Sequence, residues 1–283
     1  MPIPIICIIG PTASGKTSRS VAEAKVRNGE IISVDSRQVY RTLDIGTEKI
    51  TPREMCGIPH HLIDIREPED VYSSGDFVED ASRLIKEISA RGKTPILAGG
   101  SHFYFDALLH GIPVDAPKNQ ELREKLDALS DDELYTMILK ADPRRASELD
   151  PKNRRRIIRA LEIVDALGNV PKRKERDAQK NVLYSPEWII IDPPKEVLRE
   201  RIDTRLKETL ERGLIEEVRR VRNRVGDARL NELGLEYRII GEYLRGERTK
   251  DSLFPTISAK LWQYARHQKS WIRKLKNENA IDR

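Results

Sequence analysis

A chain of 283 residues is short for two independent domains of usual size and ample for one carrying an insertion. Apolar types make up 38% of it, aromatics 5% and charged residues 34%, against about a quarter charged in typical soluble domains, and this balance excludes a membrane-embedded protein. The net charge of +5 is small, but it is gathered in places: residues 151–180 hold ten Lys/Arg against four Asp/Glu, and residues 260–276 hold six Lys/Arg and no acid.

In chain order, Ile3–Ile9 is a continuous apolar run, as expected of a strand buried on both faces. It is too short and too soon followed by glycine to be a signal peptide. A glycine-rich turn follows, then a helical stretch from Lys16 to about Arg27. Ile31–Val34 predicts a second strand ending at Asp35. Phe77, Ala81, Leu84, Ile85 and Ile88 recur at helical spacing within Ser74–Arg91, and Gly92 stops that helix. Thr94–Ala98 predicts a third strand ending in Gly99-Gly100. Strand, helix and strand in this rhythm predict an α/β fold with a parallel sheet covered by helices. From about Lys118 to Leu167 the pattern is all helical, punctuated by Pro143 and Pro151. A basic stretch, Pro171–Lys180, leads to a further strand at Trp188–Ile191 and then to long charged helices. The expected organisation is an α/β core of residues 1–115 and 184–283 with a helical insertion at 116–183. No stretch approaches the roughly 18 uninterrupted apolar residues of a spanning helix. Cys7 and Cys56 form no C-x-x-C pair, which argues against a disulfide framework or structural zinc and for a reducing, cytoplasmic setting.

Gly10-Pro11-Thr12-Ala13-Ser14-Gly15-Lys16-Thr17 matches G-x-x-x-x-G-K-[ST] at every fixed position, between a buried strand and a helix. Backbone N–H groups of such a loop face inward, and the helix N-terminus adds positive potential. Lys16 brings a mobile charge to phosphate oxygens, and the Thr17 hydroxyl can enter a Mg²⁺ shell. The loop predicts a diphosphate or triphosphate ligand without choosing between them. An ATPase usually carries an Asp at the end of an apolar strand, whereas the third strand here ends in Ala98-Gly-Gly-Ser101. The second strand ends in Asp35, at the edge where open α/β sheets bind ligands. Its carboxylate can take a proton from a nucleophile attacking near the phosphates, or it can cap a turn.

Beyond these residues the chain resembles the tRNA dimethylallyltransferases. The shared stretches include GPTASGKT (10–17), SVDSRQVYRTLDIGTEK (33–49), GIPHHLID (57–64), YSSGDF (72–77) and ILAGGSHFY (96–104). NRRRIIRALEI (153–163), RIDTRLKETLERGLIEEV (201–218) and YARHQKSWIRK (264–274) follow in the family's order. The resemblance implies a P-loop NTPase-like core and transfer of a dimethylallyl group from its diphosphate to N6 of the adenosine just 3′ of the anticodon. It implies Asp35, Lys16 and Ser101 as catalytic residues, with Ser101 standing where Thr is usual. Residues 10–17 would bind the diphosphate, Thr17 would hold Mg²⁺, and the partners would be tRNA and dimethylallyl diphosphate. The tRNA contacts implied are Asp35, Ser36, Arg37, Gln38, Ser101 and Arg123, together with Arg155, Arg156, Ile157, Ile158 and Arg159. Without the zinc-finger extension of eukaryotic relatives, a bacterial-type enzyme is expected, acting as a monomer.

Departures from the family pattern are local. GGTGLY reads GGSHFY here, so His102 and Phe103 alter the wall near the donor, and Trp262 stands where Arg is common. His60 and His61 are a poor metal set and are expected to be structural or to line a substrate channel. Leu261, Ala265, Ile272 and Leu275 predict that the 260–276 helix packs on the core with its aromatics buried. Three other functions compete. An adenylate isopentenyltransferase would need neither the arginine-rich insertion nor the basic C-terminus. A P-loop kinase accounts for residues 10–35 and leaves the later blocks unexplained. An RNA-binding protein with a relict loop would not require the loop, Asp35 and Ser101 together.

Overall fold

The computed structural model describes residues 1–111, 119–171 and 183–279. Ile3–Ile9 forms β1, and the glycine-rich turn after it opens α1 at Lys16–Val26. The chain continues through β2 (Gly29–Val34), α2 (Pro52–Met55), β3 (His60–His61), α3 (Ser74–Ala90), β4 (Thr94–Gly99) and α4 (His102–His110). The described strands make one parallel five-stranded sheet of order β3-β2-β4-β1-β5, with β5 at Tyr184–Ile190. Register is set by pairs such as Ile6 with Ile96, Ile31 with Ile96 and Cys7 with Trp188. The architecture is therefore the α/β sheet flanked by helices that the strand-helix rhythm predicts.

Side chains alternate across a strand, so β1 feeds two cores at once. Ile5, Cys7 and Ile9 pack with Phe77, Ala81, Ile85 and Ile88 of α3, while Ile6 and Ile8 pack with Val21 and Ala24 of α1. Helix α3 starts from a reciprocal cap in which the Ser73 hydroxyl accepts from Asp76 N–H and the Asp76 carboxylate accepts from Ser73 N–H. Between β4 and its turn, Gly99 is held so close to β2 that a Cβ would lie 2.0 Å from the Val34 carbonyl oxygen.

Two strands begin earlier than sequence pattern indicates. β2 includes Gly29 and Glu30, because Glu30 is buried with His61, Arg91 and Lys93 around it, at 2.7, 2.7 and 2.9 Å. These partners hold the Glu30 carboxyl down to about 2, although burial alone would raise it. β5 begins at Tyr184 and contains Pro186, which an outer strand tolerates because one ladder side has no neighbour among the described residues. The two histidines have structural roles. They form the edge strand β3, His60 Nδ1 meets the Ile58 carbonyl at 2.8 Å, and His61 Nε2 meets Glu30.

After β5 come α9 (Lys195–Glu211), α10 (Leu214–Glu232), α11 (Leu235–Leu244) and α12 (Leu253–Asn279). In α12 the side chains of Leu261, Ala265, Ile272 and Leu275 are buried as expected. Trp262 and Trp271 are half-buried against the core, and the Trp271 ring lies 6.4 Å from Phe105. Tyr264 departs from the expectation of buried aromatics: it is 42% exposed, because it sits off the apolar stripe.

The chain divides into two compact units, Met1–Leu109 with Val182–Arg283, and His110–Asn181. In the second, α5 (Gln120–Asp127), α6 (Asp131–Ala141), α7 (Pro143–Ser147) and α8 (Arg154–Leu167) share a core of Leu126, Leu134, Ile138, Ile157, Ile158 and Leu161. Pro143 occupies the first turn of α7, where its missing N–H costs nothing. Arg154 ties this unit internally, donating to the Leu126 and Asp127 carbonyls at 3.0 and 2.8 Å. All but the first residue of the basic stretch Pro171–Lys180 lies outside the described residues. Among the described residues no helix is long and apolar enough to cross a membrane.

Candidate active site

Three strand ends meet along the C-terminal edge of the sheet: β1 at Gly10, β2 at Asp35 and β4 at Gly100-Ser101. This is where a parallel sheet offers its ligand crevice. The loop after β1 turns through left-handed backbone at Ala13 (φ 61°) and Gly15 (φ 92°) before α1 begins at Lys16. Gly10 has no room for a side chain, since a Cβ there would lie 2.5 Å from Ser14 Oγ and 2.6 Å from the Ile191 carbonyl oxygen. The first-turn N–H groups of α1 are left over by helix geometry and face the crevice as anion donors.

Lys16 folds back over its own loop, donating from Nζ to the Gly10 and Pro11 carbonyls at 3.0 and 2.7 Å. Burial, and then the Arg205 guanidinium, lower its ammonium to about 8, against an opposing pull from Asp35. The charge is thus held over the loop and destabilised until an anion arrives. The Ser14 hydroxyl is buried and has no hydrogen-bond partner among the described residues. Thr17 lies exposed in the first turn of α1. Among the described residues no group of three His, Cys, Asp or Glu side chains could hold a metal by itself. A Mg²⁺ ion suits such a site, because it keeps much of its water and takes few protein oxygens when substrate phosphates share it.

Asp35 closes a tight turn: its Oδ1 accepts from Arg37 N–H at 2.8 Å and Gln38 N–H at 3.3 Å. That leaves Oδ2 as the oxygen for a proton. Ser36 N–H donates to Ser101 Oγ at 3.3 Å, so the turn after β2 and the turn after β4 are joined directly. Gln38 is committed to the protein, with Nε2 donating to the Thr47 and Glu48 carbonyls at 3.1 and 3.3 Å, and Oε1 accepting from Ser33 Oγ at 3.2 Å. Residues 10–17, Asp35–Gln38 and Ser101 are therefore brought together in one unit, as chemistry between a phosphate leaving group and a base requires.

The residues expected to contact tRNA from the insertion are arranged differently. Arg155 and Arg156 are exposed on α8. Arg123 and Arg159 both reach the buried Glu162, at 2.9 and 3.2 Å, so their charges help hold the insertion together. Ile157 and Ile158 point into the core of that unit, at 0% and 5% exposure, and their side chains are not offered to a ligand. The spacing of α8 dictates this, since Arg155 and Arg156 fall on the face opposite Ile157 and Ile158.

Several groups at the crevice escape a reading of the local pattern. Gln268 of α12, 3% exposed, accepts from Thr12 N–H at 2.8 Å and donates to the Gly100 carbonyl at 3.0 Å. Arg205 of α9 donates to the Thr12 hydroxyl at 2.5 Å, and Arg201 approaches the Ser14 carbonyl at 3.5 Å. Glu236 and Tyr264 face the same crevice. Burial raises the Glu236 carboxyl, with Arg205 and Arg37 opposing and Asp35 adding to it. Crowding around its hydroxyl and the Asp35 charge raise the Tyr264 phenol, although its ring is partly exposed. These groups come from helices nearly two hundred residues or more from the loop. For Arg201, Arg205, Tyr264 and Gln268 the one sequence signal is their place within the RIDTR and YARHQ blocks, and Glu236 lies outside both.

The family model described as IPP transferase matches residues 38–275. The chain is 39% identical to the tRNA dimethylallyltransferase of Thermomicrobium roseum, over 99% of this chain and 86% of that protein. It is 39% identical to the tRNA dimethylallyltransferase of Pediococcus pentosaceus, over 98% and 90% of the two chains. Among solved structures, the full-length tRNA isopentenylpyrophosphate transferase of Bacillus halodurans superposes with a TM-score of 0.71 at 37% identity, covering 96% of this chain and 87% of that one. A eukaryotic dimethylallyltransferase described as acting on tRNA superposes with a TM-score of 0.80 at 28% identity, covering 95% and 69%.

Proposed function

The chain belongs to the IPP transferase family, the tRNA dimethylallyltransferases, and we propose that its crevice carries out the family's reaction with the residues assigned below. It is a prenyltransferase that moves a dimethylallyl group from dimethylallyl diphosphate to N6 of the adenosine 3′ to the anticodon in tRNA. The observation that carries this reading is the junction of the three strand ends, where Ser36 N–H reaches Ser101 Oγ beside the phosphate loop.

In the proposed step, the adenine N6 attacks C1 of the dimethylallyl group, forming a C–N bond as the C–O bond to the diphosphate breaks. The electron pair leaves with the diphosphate, and the amine proton passes to Oδ2 of Asp35. An exocyclic amine is a weak nucleophile, so a base placed beside it lowers the barrier by removing the proton as the bond forms. Charge collects on the departing diphosphate, where the loop N–H groups, Lys16, the Ser14 hydroxyl and Arg205 receive it. Those donors act more strongly on the transition state than on the ground state. Ser101 would donate its hydroxyl proton to the bridging oxygen while its Oγ accepts from Ser36. Mg²⁺, when bound with the donor at Thr17, would supply Lewis-acid neutralisation of diphosphate charge. The target base must leave its stack to enter the crevice. In this reading Arg37 accompanies it, and Arg155 and Arg156, exposed on α8, meet RNA phosphates. The two cysteines are free thiols, which suits a reducing cytoplasm.

The test is to incubate the protein with labelled dimethylallyl diphosphate, Mg²⁺ and either unmodified tRNA or AMP. Label is expected in tRNA and not in AMP. Label in AMP alone would replace this reading with a free-nucleotide prenyltransferase. Phosphate transfer from labelled ATP, without prenyl transfer, would replace it with a kinase.

A further inference from the structure

Of the buried carboxylates that take no part in the proposed step, Glu217 is held by backbone N–H groups beside the Asp35 turn. Glu217 of α10 is 2% exposed, and no cation pairs with it among the described residues. Its carboxylate instead accepts from three successive backbone N–H groups, Asp44 at 3.0 Å, Ile45 at 2.7 Å and Gly46 at 2.9 Å. Tyr237 donates a fourth hydrogen bond from its hydroxyl at 2.7 Å. Successive N–H groups converging on one point form an anion-binding nest, and here the anion is the protein's own. Gly46 is needed for this closeness, since a Cβ there would lie 2.8 Å from the Tyr237 hydroxyl.

The nest belongs to a loop that does not hold its shape by local structure alone. Thr42 and Glu48, either side of it, sit in left-handed backbone at φ 66° and 50°. Such conformations in non-glycine residues persist when surrounding contacts impose them. The loop's other end carries the carbonyls of Thr47 and Glu48, which take both hydrogen bonds from Gln38 Nε2. Gln38 N–H in turn donates to Asp35 Oδ1. A continuous chain of hydrogen bonds therefore runs from Glu217 through the 44–48 loop and Gln38 to the proposed base.

We propose that Glu217, locked by Tyr237, is a positioning residue for the Asp35 turn, and that Gln38 transmits its effect. The inference rests on the prenyl-transfer reading and deepens it. In this arrangement Gln38 braces the turn from behind, and the base-facing contacts fall to Arg37 and Asp35 Oδ2. The donor loop has its own brace in Gln268, which accepts from Thr12 N–H and donates to the Gly100 carbonyl.

The test is a double-mutant cycle between Glu217→Gln and Gln38→Leu, read as kcat and KM for tRNA prenylation, with binding of inorganic diphosphate and Mg²⁺ measured by calorimetry. Glutamine keeps the shape but offers an NH₂ group to donors that need an acceptor. Glu217→Gln is expected to lower kcat by roughly a hundredfold, the order of loss that an ångström of misplacement produces, with diphosphate affinity unchanged. In the Gln38→Leu background the same substitution is expected to cost less than threefold further. Where Glu217→Gln fails to fold, Tyr237→Phe, which removes one of the four bonds, carries the same cycle. Additive losses, or unchanged kcat in a folded Glu217→Gln, would overturn the inference. So would a parallel loss of diphosphate binding, which marks a purely structural clamp. An unsubstituted protein that labels no tRNA would overturn the parent reading instead, and is measured first.

Discussion

Replacing Gln268 by leucine should loosen the donor loop from a distance of one helix. The substitution deletes an acceptor 2.8 Å from Thr12 N–H and a donor 3.0 Å from the Gly100 carbonyl, at a position 3% exposed. The two partners do not suffer equally. The Gly100 carbonyl still accepts from His102 N–H at 3.1 Å, whereas Thr12 N–H loses its acceptor. An orphaned buried donor costs about 1–3 kcal/mol, and the second bond adds about 0.5–1.5 kcal/mol. A loss near 2–3 kcal/mol should lower the melting temperature by roughly 4–10 °C for a unit of this size. Differential scanning fluorimetry reads that shift, and calorimetric titration of diphosphate should show weaker binding as the loop loses its preset shape. Gly100→Ala attacks the same contact from the other side, because its Cβ would lie 2.5 Å from Gln268 Nε2. Groups that share one contact do not add, so the double variant should cost less than the sum of the singles. Wild-type melting and diphosphate affinity in folded Gln268→Leu, or strict additivity with Gly100→Ala, would show that Gln268 does not brace the loop.

Four further outcomes rest on the same geometry. With Lys16 held at about 8 in the free protein, a growing fraction is neutral above that pH, and diphosphate draws the proton back. Calorimetry near pH 8 in buffers of differing ionisation enthalpy should therefore show proton uptake, with affinity falling as pH rises; pH-independent binding without uptake would contradict this. Arg155→Ala with Arg156→Ala should leave melting unchanged, weaken tRNA binding and lower its salt dependence by about one or two units of slope, measured by filter binding. Arg123→Ala should instead lower the stability of the insertion by about 1–2 kcal/mol, because Glu162 then loses one of its two cations among the described residues. Gly99→Ala must part β2 from β4 around the Val34 carbonyl, and should cost about 3 kcal/mol or leave the chain insoluble on expression.

Legibility of the fold tracked how local its causes are. β1, α1 and α3 stand where apolar period and glycine punctuation put them, since each is specified by its own residues. β2 reaches back to Glu30 and β5 to Tyr184 because a remote ion cluster and an outer-strand position permit what local propensity disfavours. The same division runs through the crevice. The phosphate loop is one uninterrupted motif, and Asp35 follows its strand directly, so both are visible in the string. Gln268, Arg205 and Glu217 act across 256, 193 and 171 to 173 residues of sequence, where no periodicity carries information. Gln38 was legible as a position beside Asp35, while the hydrogen bonds of its amide to Ser33, Thr47 and Glu48 join segments that no local pattern connects. Arginines on α8 could be counted, yet which of them are spent on Glu162 required the packed helices.

The measurement that bears most directly on the account is the single-turnover rate of prenyl transfer to tRNA by Asp35→Asn, taken alongside its affinity for diphosphate with Mg²⁺. Asparagine keeps an oxygen for Arg37 N–H and Gln38 N–H but cannot take the amine proton. The transfer rate is expected to fall roughly 10²–10⁴-fold, the range for loss of a general base, with diphosphate affinity close to that of the unsubstituted protein. A transfer rate equal to that of the unsubstituted protein would contradict this and remove Asp35 from the role of base.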